Sequence, residues 1–178
     1  MCMPSRKYTR PGAWFAPSAA LAIAALALGA CLRPPDYPLE PVVEFVGLTR
    51  DTMDQGSLNE DSISVVISFT DGDGDIAFDD GDTTRSVYLV NVETGVEQTA
   101  FKIDPIDEVG VENGIRGEFR LRVFNTCCDY PDFVDAFPCE PSAEYPIDTL
   151  LLEAFMIDRA GNESNRAAIA PIYLRCDR

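Results

Sequence analysis

Hydrophobic and polar positions fall into two regimes along this chain. Residues 19–30 are apolar almost without interruption, whereas beyond Pro41 apolar residues come in short stretches broken by Gly, Asp, Asn and Pro. Alternation with a period of two marks a strand with one buried and one wet face. It is clearest over 62–70, where Ile63, Val65, Ile67 and Phe69 alternate with Ser62, Ser64, Val66 and Ser68. The same reading predicts strands over 42–48, 86–92, 98–103, 118–124, 150–157 and 167–175. In the fifth of these seven, Arg120 and Arg122 alternate with Phe119, Leu121 and Val123. No segment carries the period of a long helix. Pro171, which lacks a ladder donor, predicts that the last strand lies at an edge.

Seven short strands separated by turn signals predict an all-β, antiparallel, immunoglobulin-like sandwich over residues 42–178. The Cys-Trp-Cys core of antibody domains is missing, since the sole tryptophan is Trp14. The N-terminal region reads as a targeting element. Arg6, Lys7 and Arg10 precede an apolar run of twelve residues, short of the roughly 20 that span a bilayer. The run closes on Leu28-Gly29-Ala30-Cys31, small residues before a cysteine, as at the end of a secretory signal. This stretch resembles the lipobox of bacterial lipoproteins. The resemblance implies cleavage of a signal peptide 1–30, acyl chains on Cys31, and attachment to the membrane through the N-terminal lipid. Leu32 in place of aspartate after Cys31 implies the outer membrane. Stable anchoring needs two or more acyl chains. Between the lipid and the domain, residues 31–41 contain prolines at 34, 35, 38 and 41, a stiff linker reaching about 30 Å at ~3.1 Å per residue.

Composition narrows the function. Without residues 1–30 the chain keeps 11 basic and 30 acidic side chains, a net charge of −19. Such a charge opposes binding to nucleic acid and suits a cation-binding or simply well-solvated protein. The sequence contains 0 histidines, which removes Ser-His-Asp and Cys-His mechanisms and the commonest ligand of zinc and copper. Chemistry based on a pair of carboxylates, as in glycoside hydrolases, survives this exclusion.

After Cys2 and Cys31 are set aside, Cys127, Cys128, Cys139 and Cys176 remain in a compartment that favours disulfides. Adjacent cysteines are poorly placed to bond one another, so one of Cys127 and Cys128 is expected to join Cys139 and the other Cys176. A zinc site is disfavoured, since adjacent cysteines lack the usual ligand spacing. Tyr130, Phe133, Phe137 and Tyr145 occupy the same long connection, where they are expected to form a small satellite core in preference to an exposed platform.

The motif with most chemical content is Asp71-Gly72-Asp73-Gly74-Asp75-Ile76, followed by Asp79, Asp80 and Asp82. Alternate aspartates on a glycine-rich backbone bring several carboxylates to one point, the ligand set of a hard cation, with calcium the natural candidate. It is not an EF-hand, because Ile76 stands where glycine is required and Asp82 where glutamate is. Asp158-Arg159-Ala160-Gly161-Asn162 forms a second turn motif. If strands alternate in direction, connections 71–85, 104–117 and 158–166 share one pole. That pole would gather Asp71, Asp73, Asp75, Asp79, Asp82, Asp158 and Asn162 as metal ligands, with Asp104, Asp107, Glu108 and Glu112 nearby. The cysteine-bearing connection would occupy the other pole.

The lipobox, the DGDGDI segment at 71–76 and the DRAGN segment at 158–162 together resemble a family of largely uncharacterised Gram-negative bacterial lipoproteins. Members typically carry a glycine after the isoleucine, where this chain has Ala77. The resemblance implies a sandwich fold. The expected function is that of a lipid-anchored, non-enzymatic envelope protein with a structural calcium site, binding or scaffolding an envelope protein or a glycan. The alternatives are a carboxylate-dependent glycan hydrolase and a spacer without a ligand.

Overall fold

The computed structural model describes residues 36–105 and 114–178. The leader, Cys31 and the first part of the proline-rich linker lie outside the described residues, as do Asp107, Glu108 and Glu112. Among the described residues the fold is all-β and sandwich-like. Its strands are β1 (Val42–Leu48), β2 (Thr52–Asp54), β3 (Ser62–Asp71), β4 (Val87–Asn91), β5 (Glu97–Phe101), β6 (Ile115–Phe124), β7 (Ile147–Leu150), β8 (Leu152–Met156), β9 (Ala167–Ala168) and β10 (Ile172–Arg175). They form sheets ordered β1-β3-β6, β5-β4-β8-β9 and β2-β10-β7. Neighbours are antiparallel except β2 and β10, which run parallel.

Binary patterning explains the layers. Along β3 the side chains of Ile63, Val65, Ile67 and Phe69 turn inward and face Val123, Leu121, Phe119 and Gly117 of β6 in register. Leu89 of β4, Leu152 and Met156 of β8, and Ile172 and Leu174 of β10 belong to the same apolar cluster, each at most 1% exposed. Truncating one such side chain to alanine costs about 2–5 kcal/mol, because the cavity collapses only in part. Phe69 stacks on Phe119 with ring centroids 4.5 Å apart.

Three expectations change. Among the described residues ten strand segments replace the seven expected. The run 150–157 divides at Leu151, where the chain passes from β7, paired to β10, into β8, paired to β4 and β9. The run 167–175 likewise divides at Pro171 into β9 and β10. The edge expectation holds for β9, the last strand of its sheet, but not for β10, which follows Pro171 and lies between β2 and β7. The missing N–H instead interrupts pairing where the chain changes partners. β2 is three residues long, too short to show periodicity.

Candidate cation site

The end of β3 and the turn after β8 build one acidic centre. Asp71 is the last residue of β3, and its inward register continues that of Phe69. A carboxylate thus takes a core position and is 0% exposed. The chain then turns through Gly74 at φ 72°, a left-handed conformation that glycine adopts without penalty. Ile76, fully buried, pins the far side of the turn into the core. The Asp75 amide donates to Asp71 Oδ2 at 3.1 Å, which closes the turn on its own carboxylate.

The second motif delivers Asp158, 1% exposed. Its carboxylate is held from two sides by one residue: the Asn162 amide N–H donates to Oδ1 at 2.7 Å and Asn162 Nδ2 to Oδ2 at 2.8 Å. The two motifs interlock through backbone donors. Arg159 N–H reaches the Asp75 carbonyl at 3.0 Å, and Ala160 N–H reaches Asp75 Oδ2 at 3.1 Å. One carboxylate oxygen from each of Asp71, Asp75 and Asp158 lies within 4.8 Å of the others.

Three carboxylates this close repel one another, and burial deprives them of water. Burial pushes Asp71 up to about 6, and the charges of Asp73, Asp75 and Asp158 add to the rise. Asp75 is raised for the same reasons, burial first and then Asp158 and Asp73. Buried Oδ1 atoms of both Asp71 and Asp75 have no hydrogen-bond partner among the described residues. Leaving a buried acceptor unsatisfied is costly, and an oxygen-seeking cation would satisfy both at once. The donor set of carboxylates without nitrogen or sulfur fits calcium and magnesium.

The sequence motif was only partly a ligand list. Asp73 stays exposed at the mouth, Asp79 and Asp82 are exposed farther along the loop, and Asn162 serves as the clamp on Asp158. Asp82 caps its own turn by accepting from Thr84 N–H at 2.8 Å, while Asp79 lies 3.9 Å from Arg159. Two residues carried no signal in the sequence. Asn165 pairs with both backbone groups of Val43, at 2.9 and 2.8 Å, and so ties the last connection to β1. Gln55, 7% exposed, accepts from Cys128 N–H and donates to the Cys176 carbonyl at the opposite pole. An isolated amide in a polar stretch has no periodicity to reveal it.

At that opposite pole Cys127 bonds Cys139 and Cys128 bonds Cys176. The four aromatic residues divide. Tyr130 and Tyr145 pack against the core and meet edge to face at 5.9 Å, whereas Phe133 and Phe137 are 76% and 72% exposed. Comparison with family models, with curated proteins and with solved structures returns no match.

Proposed function

We propose that this chain is a lipid-anchored, non-enzymatic cell-envelope protein whose acidic pole binds calcium and whose sheet surface engages an envelope component or glycan. The observation that carries the calcium reading is Asp71: a fully buried carboxylate with one orphaned oxygen, facing two further carboxylates. Calcium would be held by Asp71, Asp75 and Asp158, with Asp73 at the mouth. It would cancel their repulsion and lock the turn after β3 to the turn after β8. The non-enzymatic reading is supported by the burial of Asp71 and Asp158, since a hydrolase needs its carboxylates open to the scissile bond.

The immunoglobulin-like reading is supported by the sheet orders and by the parallel pairing of β2 with β10, with β1-β3-β6 as one layer and β5-β4-β8-β9 as the other. Lipid attachment at Cys31 and an outer-membrane address rest on the lipobox resemblance. Cys31→Ser should move the protein from the membrane fraction to the soluble one.

The ion reading is tested by the melting temperature of the full chain in neutral detergent, disulfides intact, with calcium, with magnesium and with chelator. At about a hundred times its dissociation constant, calcium should add roughly 2.7 kcal/mol, a rise of about 5–11 °C for a domain of this size. An unchanged melting temperature overturns the ion site, and an equal response to magnesium overturns the choice of calcium.

A further inference from the structure

We propose that the outer face of the β1-β3-β6 sheet takes an acidic polysaccharide through Arg116, Arg120 and Arg122. The inference rests on the reading of this protein as an envelope binding module and names the class of glycan. The three arginines occupy alternate positions of β6 with Glu118, so all four point away from the core, and all four are exposed. In register, Arg116 lies beside Thr70, Arg120 beside Val66 and Arg122 beside Ser64. At ~3.4 Å per residue the row extends about 20 Å, the reach of a short oligosaccharide.

What separates these arginines from the rest is their lack of partners among the described residues. Every other basic side chain among the described residues meets a carboxylate or a backbone carbonyl of the chain. Arg116, Arg120 and Arg122 make no ion pair with any described residue. In so acidic a chain, carboxylate partners are abundant, yet three guanidinium forks stand together on one sheet face. Such forks match carboxylate and sulfate groups with two parallel hydrogen bonds.

The chemistry between the charges favours a sugar over a simpler polyanion. Beside Arg116 lies a groove of about 540 Å³ lined by Tyr37, Ser68, Thr70 and Glu118, a volume within the range of small-ligand sites. Tyr37 supplies an apolar ring face with a polar tip, and Ser68 and Thr70 supply hydroxyls. Glu118 interrupts the positive row. It can accept hydrogen bonds from sugar hydroxyls, donors that a polyphosphate chain lacks. The molecule's overall negative charge opposes any polyanion at long range, but screening over about 8 Å at physiological salt leaves contact-range arginines effective.

The test titrates the full chain in neutral detergent with polygalacturonate, chondroitin sulfate, neutral dextran and inorganic polyphosphate, in calcium and in chelator. One or both acidic glycans should bind, more weakly as salt rises, while neutral dextran does not. R120Q/R122Q should weaken this binding at least about tenfold with the melting temperature unchanged, and R120K/R122K should fall between. Absence of binding to both acidic glycans, full binding by R120Q/R122Q, or equal affinity for polyphosphate would each overturn the proposal. Lost glycan binding alongside an intact calcium shift removes this inference alone. A missing calcium shift with R120/R122-dependent glycan binding removes only the ion reading.

Discussion

Asp71 concentrates the energetic conflict of this protein in one side chain. Register places it inward, the core excludes water from it, and neighbouring carboxylates oppose its charge, so its acid is pushed up to about 6. Against its ordinary value of 3.8 the rise corresponds to on the order of 3 kcal/mol of folding free energy lost when the group ionises. The sign follows from proton uptake. Between about pH 4 and 6 the folded chain holds a proton at Asp71 that the unfolded chain has released, so stability rises on acidification through that window. Asp61 and Asp82 are lowered and act oppositely, but only below the ordinary carboxylate range. The chelated protein should therefore melt higher near pH 5 than near pH 7, and saturating calcium should abolish or reverse that order. A chelated protein that loses stability steadily from pH 7 to pH 5 would contradict this account. Asp71→Asn keeps the shape and removes the charge. It should raise the melting temperature in chelator, by about 1–3 kcal/mol in stability, while sharply reducing the response to calcium; a variant that merely melts lower under both conditions would show Asp71 to be structural.

Elements were legible in the sequence where one periodic face meets the core over many residues, and illegible where the chain changes partners. The interiors of β3 and β6 follow directly from alternation, because a one-residue slip would expose their whole apolar set. The break at Leu151 and the switch at Pro171 are tertiary in origin, since both halves of each run are equally apolar and only the neighbouring sheet decides where pairing passes on. The acidic centre was readable in the same measure. Asp71, Asp75 and Asp158 converge as the two motifs suggest, but strand periodicity ends at Asp71, and the turn at Gly74 sends Asp73 outward. The cysteines left one ambiguity, which neighbour pairs with which, and β10 resolves it by bringing Cys176 to Cys128. These two crosslinks are unequal. Cys127 and Cys139 are 12 residues apart, Cys128 and Cys176 are 48 apart, and the latter pair is almost fully buried. Loop-closure entropy assigns about 3 kcal/mol to the shorter and about 4 kcal/mol to the longer. In urea unfolding C128A/C176A should lose more stability than C127A/C139A, by about 1 kcal/mol or more once the vacated core is included. Equal losses would mean that Gln55 and the neighbouring backbone hydrogen bonds, and not the crosslink, hold β10 to the long connection.

At the scale of the molecule, the strand ends separate two structural devices. The ends of β3 and β8 carry the carboxylate centre, and there the chain arrives through Tyr37 and Pro38, whose carbonyls crowd the Gly72 Cα so closely that a Cβ would lie 2.6 Å from the Pro38 oxygen. The start of β3 and the end of β6 carry the cystine-stapled connection, with Gly56 N–H donating to the Thr126 carbonyl and Asn125 N–H to the Asp61 carbonyl. Between them lies the continuous apolar cluster, whose burial is lost in full only on global unfolding. Opening of each pole should then be a local event, with a free energy below that of global unfolding. Hydrogen exchange distinguishes this from a coupled molecule. Calcium should slow exchange at amides 72–76 and 158–162, where the donors of Asp75, Arg159, Ala160 and Asn162 lock the two turns, and leave residues 126–146 unchanged. Mild reductant should do the converse, speeding 126–146 and leaving the acidic turns protected. Calcium-dependent slowing at the cystine pole would instead require the two ends to share one cooperative unit, carried by the paired strands β3 and β6, which both run from the acidic turn to the Asp61–Asn125 contact.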